Sequence, residues 1–415
     1  MKSLRPTAAI AAAVLSIALA ACGSTSSSST SAAATATPAA STNSGGAPIK
    51  IGAIEADSSS LPAGIAPEAT SAAQARVDSI NAAGGINGHK LQLINCNDHA
   101  DPNDAVSCAN SEISQGVVAL VGSIGPETAG IYPILQKAGV ASIGPVPTSP
   151  AIGDSPVATC FTPAVAGGFV ALPQLLKQQG ANVQSLIYPN DYGAASKLLV
   201  TTFKLGVQKA GVKLGALAGY PSTTTSFGPV AGTGLAGGTD GVVAFAPGAT
   251  SGPLVAAVQS AGPNAKVAIA ASGWLPSVAK FLGSKGNGVL AVGFQEPPTS
   301  SARGIKLFNA DMAKYASSAA KDDSSIGAWA AVYALQQMAS KLSTIDRASV
   351  LKAFSSFTNL STGGIFPPMS KDPKKPFTGL PGDGCVANPS VVFEVVRNGQ
   401  LWPVKDGQFT NPFAS

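Results

Sequence analysis

Residues 49–94 read IKIGAIEADSSSLPAGIAPEATSAAQARVDSINAAGGINGHKLQLI. Residues 49–54 have the short apolar pattern of a buried strand. Apolar side chains then recur at helical spacing from Ile65 to Ala82, and Gly84-Gly85 ends that segment. Residues 90–94 follow as a second strand. A strand, a helix and a second strand in this order predict a parallel β-α-β unit.

The same alternation continues along the chain. Asp101-Pro102 opens a helix, because aspartate caps the first turn and proline occupies a position whose donor is not needed. Further strands are predicted at 117–121, 140–143, 183–188, 212–218, 240–246, 266–270 and 289–294, and further helices at 127–137, 168–179, 194–210 and 254–261. The rhythm restarts after Cys160, residues 303–341 are mainly helical, and 391–396 form a late strand that returns to one sheet. We therefore predict an α/β fold of two Rossmann-like lobes, each a parallel sheet covered by helices.

The first 22 residues have the order of a bacterial export signal. Lys2 and Arg5 supply positive charge, a run of mostly small apolar residues covers 8–18, and Leu19-Ala20-Ala21-Cys22 follows. The run is shorter than the roughly 20 residues that span a bilayer, so we expect residues 1–21 to be removed as a signal peptide. The tetrad resembles a lipobox, which predicts lipidation of Cys22 and attachment to the membrane through acyl chains alone. The alternative is a plain secretory signal with an incidental cysteine.

Residues 24–48 contain almost only Ser, Thr, Ala and Gly, without aromatic or charged side chains. Such a segment buries too little apolar surface to order itself, so we interpret 22–48 as a lipidated, flexible tether. The remaining length favours two domains over one core. We assign 49–158 with about 296–358 to the first lobe, and 159–295 with about 359–415 to the second.

Composition narrows the functional class. Hydrophobic residues make up 45% of the chain and charged residues 11%, as in a globular protein. The net charge is +5, but the Lys and Arg residues are scattered, with no basic stripe of the kind that nucleic acid requires. We therefore predict no nucleic-acid partner.

The cysteines predict two disulfides. Five are present, and setting Cys22 aside leaves an even number for an oxidising compartment. We prefer Cys96 with Cys108, which fits one strand-to-helix turn, and Cys160 with Cys385, although the connectivity does not follow from sequence. His89 and His99 do not stand at zinc-motif spacing from a cysteine, so we predict no metal and no cofactor.

Several motifs, taken in order, resemble type I periplasmic binding proteins, and most closely their branched-chain amino-acid-binding (Leu/Ile/Val-binding) branch. They are Ile49-Lys50-Ile51-Gly52, residues 80–88 (INAAGGING), Asp98 with Asp101-Pro102, residues 118–122 (VALVG), Ala138-Gly139-Val140, residues 145–150 (PVPTSP) and Asn190-Asp191-Tyr192-Gly193. The resemblance covers about 49–294 and weakens beyond. It implies two lobes joined by three crossovers, with ligand trapped between them and closure about a hinge.

Three loops at strand ends are candidate ligand contacts, because open α/β sheets bind ligands there. In residues 122–128, which include Ser123, Glu127 and Thr128, the backbone donors and the helix N-terminus suit an anionic oxygen, with a plain glycine turn as the alternative. The resemblance implies that Thr148 binds the polar head of the ligand, although the loop prolines also stiffen this turn. It also implies that Tyr192 closes over the ligand, with packing at the helix start as the alternative.

Two further points concern the second lobe. Trp274 follows a predicted strand and either covers the ligand or packs in the core. Relatives that bind amino acids hold the ammonium group with acidic second-lobe residues, but the matching loops here, 246–250 and 271–274, contain none. A buried ammonium without a counter-charge is unfavourable, so either Asp57 or Glu127 substitutes or the ligand lacks an ammonium.

Two motifs match the letters of enzyme motifs but lack the sequence context that the chemistry needs. Residues 232–237 (GTGLAG) match the letters of a dinucleotide motif but precede a strand, so we interpret them as a flexible loop. Ser277-Val278-Ala279-Lys280 lacks the companion motifs of penicillin-recognising enzymes. We therefore predict no catalytic residues.

These observations together predict an extracytoplasmic, membrane-anchored solute-binding lipoprotein, expected to be a monomer. Its ligand is a small polar solute, such as an amino acid or amide, and its protein partner is an ABC permease in the membrane. The alternative is a ligand sensor for a membrane signalling protein, and neighbouring permease or receptor genes would distinguish the two.

Overall fold

The computed structural model describes residues 46–58, 66–122 and 125–414. The predicted signal peptide, Cys22 with most of the tether, and Ser123 lie outside the described residues.

The strands, in chain order, are β1 (Ile49–Glu55), β2 (Leu91–Asn97), β3 (Ala119–Val121), β4 (Ala141–Ile143), β5 (Ala158–Thr159), β6 (Val183–Pro189), β7 (Lys213–Tyr220), β8 (Gly241–Ala244), β9 (Lys266–Ala270), β10 (Leu290–Gly293), β11 (Phe357–Leu360), β12 (Met369–Lys371), β13 (Val391–Arg397), β14 (Gln400–Pro403) and β15 (Phe409–Thr410).

The α-helices are α1 (Pro67–Ala82), α2 (Pro102–Ser114), α3 (Tyr132–Ala138), α4 (Pro150–Gly153), α5 (Ala164–Gln178), α6 (Ala194–Ala210), α7 (Gly228–Gly234), α8 (Ser251–Ala261), α9 (Pro276–Leu282), α10 (Arg303–Tyr315), α11 (Asp323–Ala339) and α12 (Arg347–Ser355). Short 3-10 turns occupy Pro126–Ile131, Ala236–Gly238, Gly248–Thr250, Ala271–Gly273 and Gly283–Gly286.

The first lobe is built on a parallel sheet with the order β2-β1-β3-β4-β5. Helices α1, α10 and α11 bury their apolar faces against one side of the sheet, and α2 and α3 cover the other side. The strands are apolar on both faces, as helices on both sides require. The chain adds β2 on one side of β1 and then β3, β4 and β5 on the other side. The gap between β1 and β3 is therefore the topological switch point of this sheet.

The second lobe repeats this plan. Its sheet has the parallel order β7-β6-β8-β9-β10, with a switch point between β6 and β8. The late strand predicted at 391–396 is present as β13, which joins β10 antiparallel and carries β14 and β15. Helices α5 and α6 cover one face and α7, α8 and α9 the other. Two covered parallel sheets confirm the predicted α/β fold of two Rossmann-like lobes.

Both preferred disulfides are present. Cys96 at the end of β2 is bonded to Cys108 in α2, and Cys160 is bonded to Cys385. The helix predicted to open at Asp101 begins as expected, because the Asp101 carboxylate accepts from the backbone N–H of Asn103 at 2.7 Å.

Two local predictions need correction. The helix predicted at 127–137 is a 3-10 turn followed by α3, because Pro133 has no N–H with which to continue one ladder of hydrogen bonds. The loop predicted at 232–237 is wrong, since α7 includes Gly232 and Gly234. A Cβ on Gly234 would lie 2.6 Å from Cδ1 of Ile187, so this glycine allows α7 to pack closely on the sheet.

The chain returns to the second sheet later than the sequence suggests. Our expected boundary is near 359, but Leu360, Phe366 and Met369 still pack in the core of the first lobe. The second sheet resumes at Val391, where β13 begins. In the described ranges, no helix combines the length and apolarity needed to cross a membrane.

Candidate functional site

The carboxyl ends of the parallel strands, above all at the two switch points, are where this fold forms a ligand crevice. In the first lobe, the switch point places residues 56–58 after β1 beside the segment that follows β3. In the second, it places residues 190–193 after β6 beside residues 245–250 after β8. The loops that contain Asp57, Glu127 and Tyr192 therefore stand at switch points, and those with Thr148 and Trp274 stand one strand away.

Asp57 is held by its neighbours at the end of β1. Its carboxylate accepts from Oγ1 of Thr70 at 2.7 Å and from Nδ2 of Asn95 at 2.6 Å. Thr70 lies in α1 and Asn95 in β2, so Asp57 ties the switch-point loop to two adjacent elements. Each carboxylate oxygen of Asp57 thus already has one donor, which leaves it fewer lone pairs for a ligand.

The segment after β3 folds tightly on itself. Gly122 has a positive φ of 79°, and a Cβ there would lie 2.6 Å from Oε1 of Glu55, so glycine permits both the turn and the close approach. Thr128 is fully buried, and its hydroxyl donates to the carbonyl oxygen of Gly125 at 2.8 Å. Thr128 therefore supports the turn from within.

Glu127 is half-buried at the same switch point and lies near Asp98, which follows β2. Burial and the neighbouring Asp98 carboxylate raise the pKa of Glu127, while its own backbone N–H partly offsets this rise. Burial likewise raises the pKa of Asp98, although the Ala100 N–H lowers it in part. Oδ2 of Asp98 is buried without a hydrogen-bond partner among the described residues. A cation placed between Asp98 and Glu127 would lower the pKa of both.

Asp98 was not among our predicted ligand contacts. Its position was visible in the sequence, because it directly follows a strand and precedes the Asp101-Pro102 helix start. Polar residues at strand ends are the signal that identifies it.

Thr148 is exposed in the loop that follows β4. Its backbone N–H donates to the carbonyl oxygen of Val146 at 2.8 Å, which makes a tight turn and leaves the side chain at the surface. The adjacent Ser149 has a buried Oγ with no hydrogen-bond partner in the described part of the chain. The loop thus has one exposed and one buried hydroxyl group, and Ser149 is a second residue that we did not predict.

Tyr192 projects from the loop after β6 and is 40% exposed. Asp191 fixes this loop, since its carboxylate accepts from the N–H and Oγ of Ser222 at 2.9 and 2.8 Å. These hydrogen bonds lower the pKa of Asp191. Oγ of Ser196 accepts from the Tyr192 N–H at 3.0 Å and donates to the Pro189 carbonyl at 2.7 Å. The backbone is therefore fixed while the ring remains partly exposed.

Trp274 lies in the core of the second lobe and is 8% exposed. Its indole Nε1 donates to the carbonyl oxygen of Gly399 at 3.0 Å, and its ring lies against Gly286. The structure therefore shows the packing alternative for Trp274, with its polar group already satisfied.

The second-lobe loops after β8 and β9 carry hydroxyl groups and no carboxylate. Ser251 donates to the Ala246 carbonyl at 2.6 Å, and Thr250 donates to the Pro247 carbonyl. Apart from Asp191, whose carboxylate accepts hydrogen bonds from Ser222, the acidic groups described near the crevice belong to the first lobe. A cavity of about 530 Å³ lies elsewhere, between β7 and α7, and is lined in part by Leu217, Tyr220, Thr224 and Thr233.

Across the described ranges, no group of three or more His, Cys, Asp or Glu side chains is placed to hold a metal ion. Glu127 and Asp98 interact through their charges within the first lobe, and hydrogen bonds hold Tyr192 and Trp274 within the second.

Residues 48–400 match the family model described as periplasmic binding protein. The chain is 38% identical over 84 residues to the Leu/Ile/Val-binding protein of Escherichia coli (strain K12), covering 20% of this chain and 23% of that protein. It is 28% identical over 160 residues to the leucine-, isoleucine-, valine-, threonine- and alanine-binding protein of Pseudomonas aeruginosa, covering 36% and 41%. The matched segments thus span less than half the length of these relatives.

Solved structures share the fold at low identity. The leucine-, isoleucine-, valine-, threonine- and alanine-binding protein of Brucella ovis, in its closed conformation, superposes with a TM-score of 0.71 at 18% identity, covering 87% of this chain and 95% of that one. A solute-binding protein of R. palustris in complex with 4-hydroxybenzoate gives a TM-score of 0.67 at 20% identity, covering 88% and 97%. Each of these relatives is named as a binding protein, and the R. palustris protein as the solute-binding protein of an ABC transporter. The chain therefore belongs to the periplasmic binding protein family.

Proposed function

We propose that this protein captures a small polar solute, an amino acid, an amide or a similar molecule, between its lobes and delivers it to an ABC importer. The observation that carries the proposal is the match of residues 48–400 to a family of solute-binding proteins. Exposed Thr148 and Tyr192, on strand-end loops of different lobes, support it. Such sites need a few well-placed polar groups and an aromatic wall.

The first lobe supplies the negative charge for a ligand cation. Glu127 beside Asp98 is a better candidate than Asp57, because Oδ2 of Asp98 is buried without a hydrogen-bond partner among the described residues, whereas both Asp57 oxygens already accept hydrogen bonds. A ligand ammonium near Glu127 would relieve the repulsion between these two carboxylates. For a ligand without an ammonium, protonation of one carboxyl would serve the same purpose.

We also propose that the protein acts outside the cytoplasmic membrane, held there by a lipid on Cys22. The sequence order Leu19-Ala20-Ala21-Cys22 after an apolar run supports this. Cys22→Ser should move the protein from the membrane fraction to the soluble fraction of cells. A protein that stays with the membrane after this change would contradict the lipid anchor.

A thermal-shift screen over amino acids, amides, urea and small carboxylates tests capture. A ligand that binds only the folded state raises the melting temperature, by an amount that grows with concentration. Glu127→Gln distinguishes the ligand types. It should lower the affinity for a ligand that carries an ammonium group and leave the affinity for a carboxylate ligand without an ammonium group unchanged. Uptake of the hit by cells that express the protein and the importer encoded nearby tests delivery, and uptake that persists without the protein would refute it.

A further inference from the structure

Three carboxyl groups from separate segments lie together at the junction of the lobes. Glu296 follows β10 on the segment that leaves the second lobe, Glu394 lies in β13, and Asp323 begins α11 of the first lobe. Glu296 and Glu394 are fully buried. Both carboxyl oxygens of Glu394, Oε2 of Glu296 and Oδ2 of Asp323 are buried without a hydrogen-bond partner among the described residues.

Direct contacts join the lobes at the same place. Nε2 of Gln295 donates to the backbone carbonyl of Asp323 at 2.7 Å. The N–H of Glu296 donates to the carbonyl oxygen of Ile365, a residue of the first core, at 2.9 Å. The N–H of Gly407 donates to Oε1 of Glu296 at 2.9 Å. The carboxyl cluster therefore lies within the contacts that hold the two lobes in this arrangement.

The charges around the cluster do not neutralise it. Asp322 precedes Asp323 in the chain and raises its pKa, and the charge of Asp406 raises the pKa of Glu296. Both residues therefore add negative charge around the cluster. Strands β10, β14 and β15 beside Glu394 have no titratable side chain. Two lysines have other partners. The charge of Lys306 lowers the pKa of Asp406, and Nζ of Lys177, at the C-terminal end of α5, donates to Oδ1 of Asn182 at 2.8 Å.

Negative charge on Asp323 or Glu296 repels an ionised Glu394, and the burial of these carboxyl groups disfavours their charged forms. Burial raises the pKa of Asp323 to about 7, and Asp322 adds to the rise. Burial also raises the pKa of Glu296. Burial raises the pKa of Glu394 well above its usual range, and the charges of Asp323 and Glu296 add to that rise. Among the described residues, these side chains do not form a metal-binding group. Proton uptake neutralises a buried carboxylate and removes its repulsion from the others.

We propose that this cluster makes the lobe junction sensitive to protons. Protonated Glu296, Asp323 and Glu394 hold the lobes in the arrangement described here, and their ionisation loosens the junction as the pH rises through neutral. The direction follows from linkage. A carboxyl group that binds its proton more tightly in the joined arrangement favours that arrangement at low pH, and the preference is lost as the pH rises through the raised value.

The test measures the distance between the lobes. Fluorophores are attached at Lys137→Cys in α3 and Lys204→Cys in α6, both exposed, in a Cys22→Ser background where the remaining cysteines are paired. Energy transfer is recorded from about pH 5 to about pH 8. Each titrating carboxyl shifts the balance of the two arrangements by up to about tenfold per pH unit. The distance distribution should therefore change with pH while circular dichroism shows an intact fold.

Matched variants identify the cause. Asp323→Asn and Glu394→Gln are neutral at all pH values and should remove the response. Glu112→Gln removes another buried carboxyl, inside the first lobe and away from the junction, and should leave the response intact. A distance that does not depend on pH in the unsubstituted lobes would overturn the proposal, even if the variants do not fold. An unchanged pH response of the inter-lobe distance in folded Asp323→Asn would also overturn it. A distance change caused by added sodium or an amine at constant pH would do the same.

Discussion

Cys160 is bonded to Cys385, which lies 225 residues later in the chain. The contact is continued by the backbone, because the N–H of Cys160 donates to the Cys385 carbonyl at 3.0 Å and the N–H of Ala387 donates to the Cys160 carbonyl at 2.8 Å. Cys385 is buried in the same apolar cluster as Cys160. A late segment of the chain is therefore fastened to the edge of the first sheet before β13 joins the second.

This disulfide should contribute more to stability than the local one. It closes a loop with a sequence separation of 225, whereas Cys96–Cys108 closes one of 12, and a longer loop loses more entropy on closure. Replacing both Cys160 and Cys385 by Ser should lower the free energy of unfolding by about 2–5 kcal/mol. Denaturant unfolding measures it, with the Cys96 and Cys108 double variant as control. An equal or larger loss in the control would contradict this ranking.

The buried ion pair of Arg76 and Asp311 should be sensitive to the loss of either partner. The two side chains are 3.0 Å apart, and Nε1 of Trp329 also donates to Asp311, at 2.9 Å. Asp311→Ala leaves the Arg76 charge buried and unpaired, so we expect a loss of about 3–5 kcal/mol in the free energy of unfolding. Asp104→Ala, which breaks the exposed pair with His99, should cost about 0–1 kcal/mol. Similar losses for both would show that burial does not set the difference.

Stability should fall as the pH rises, in part through Glu112. Burial raises its pKa to about 8, and the N–H of Ala53 only partly offsets this. Because the folded protein binds this proton more tightly than the unfolded chain, its stabilising effect is complete below about pH 4 and is lost as the pH rises to about 8. Glu112→Gln should reduce the slope of unfolding free energy against pH by up to about 1.4 kcal/mol per pH unit. Unchanged slopes would show that Glu112 is already ionised in the folded state.

Thr148 and Tyr192 should both contribute to ligand affinity. Thr148→Ala removes one hydrogen-bonding hydroxyl, which is worth about 0.5–1.5 kcal/mol, or roughly a twofold to twelvefold rise in Kd. Tyr192→Ala should weaken binding further than Tyr192→Phe, because the ring as well as the hydroxyl is lost. Thr201→Ala on the exposed side of α6 is the control, and should leave Kd and melting temperature nearly unchanged. Wild-type affinity in both site variants would remove these residues from the site.

Much of the fold could be predicted because strands buried on both sides are short apolar runs between turns. The strand at 266–270 and the helix at 194–210 were predicted with the bounds that the structure has. Helix α7 was missed because its glycines indicate a loop, and their use in close packing on Ile187 appears only in three dimensions. Strands β11 and β12 were missed because they are short and their pairing depends on the distant first core.

The site was predictable as loops but not as individual contacts. Strand ends followed by polar residues indicated the loops of Asp57, Glu127 and Tyr192 at the switch points. The sequence did not show that Thr70 and Asn95 occupy the Asp57 carboxylate. Nor did it show that Gly399, 125 residues away, accepts from Trp274. These contacts depend on packing between distant segments, which periodicity does not encode.

Calorimetric titration of the purified protein with each solute class of the thermal-shift panel tests the central claim of solute capture most directly. We predict saturable binding of at least one small polar solute, with one molecule per chain and affinity reduced in the Thr148→Ala variant. Absence of binding heat and of any melting-temperature rise across amino acids, amides, urea and carboxylates, in folded protein, would contradict the claim.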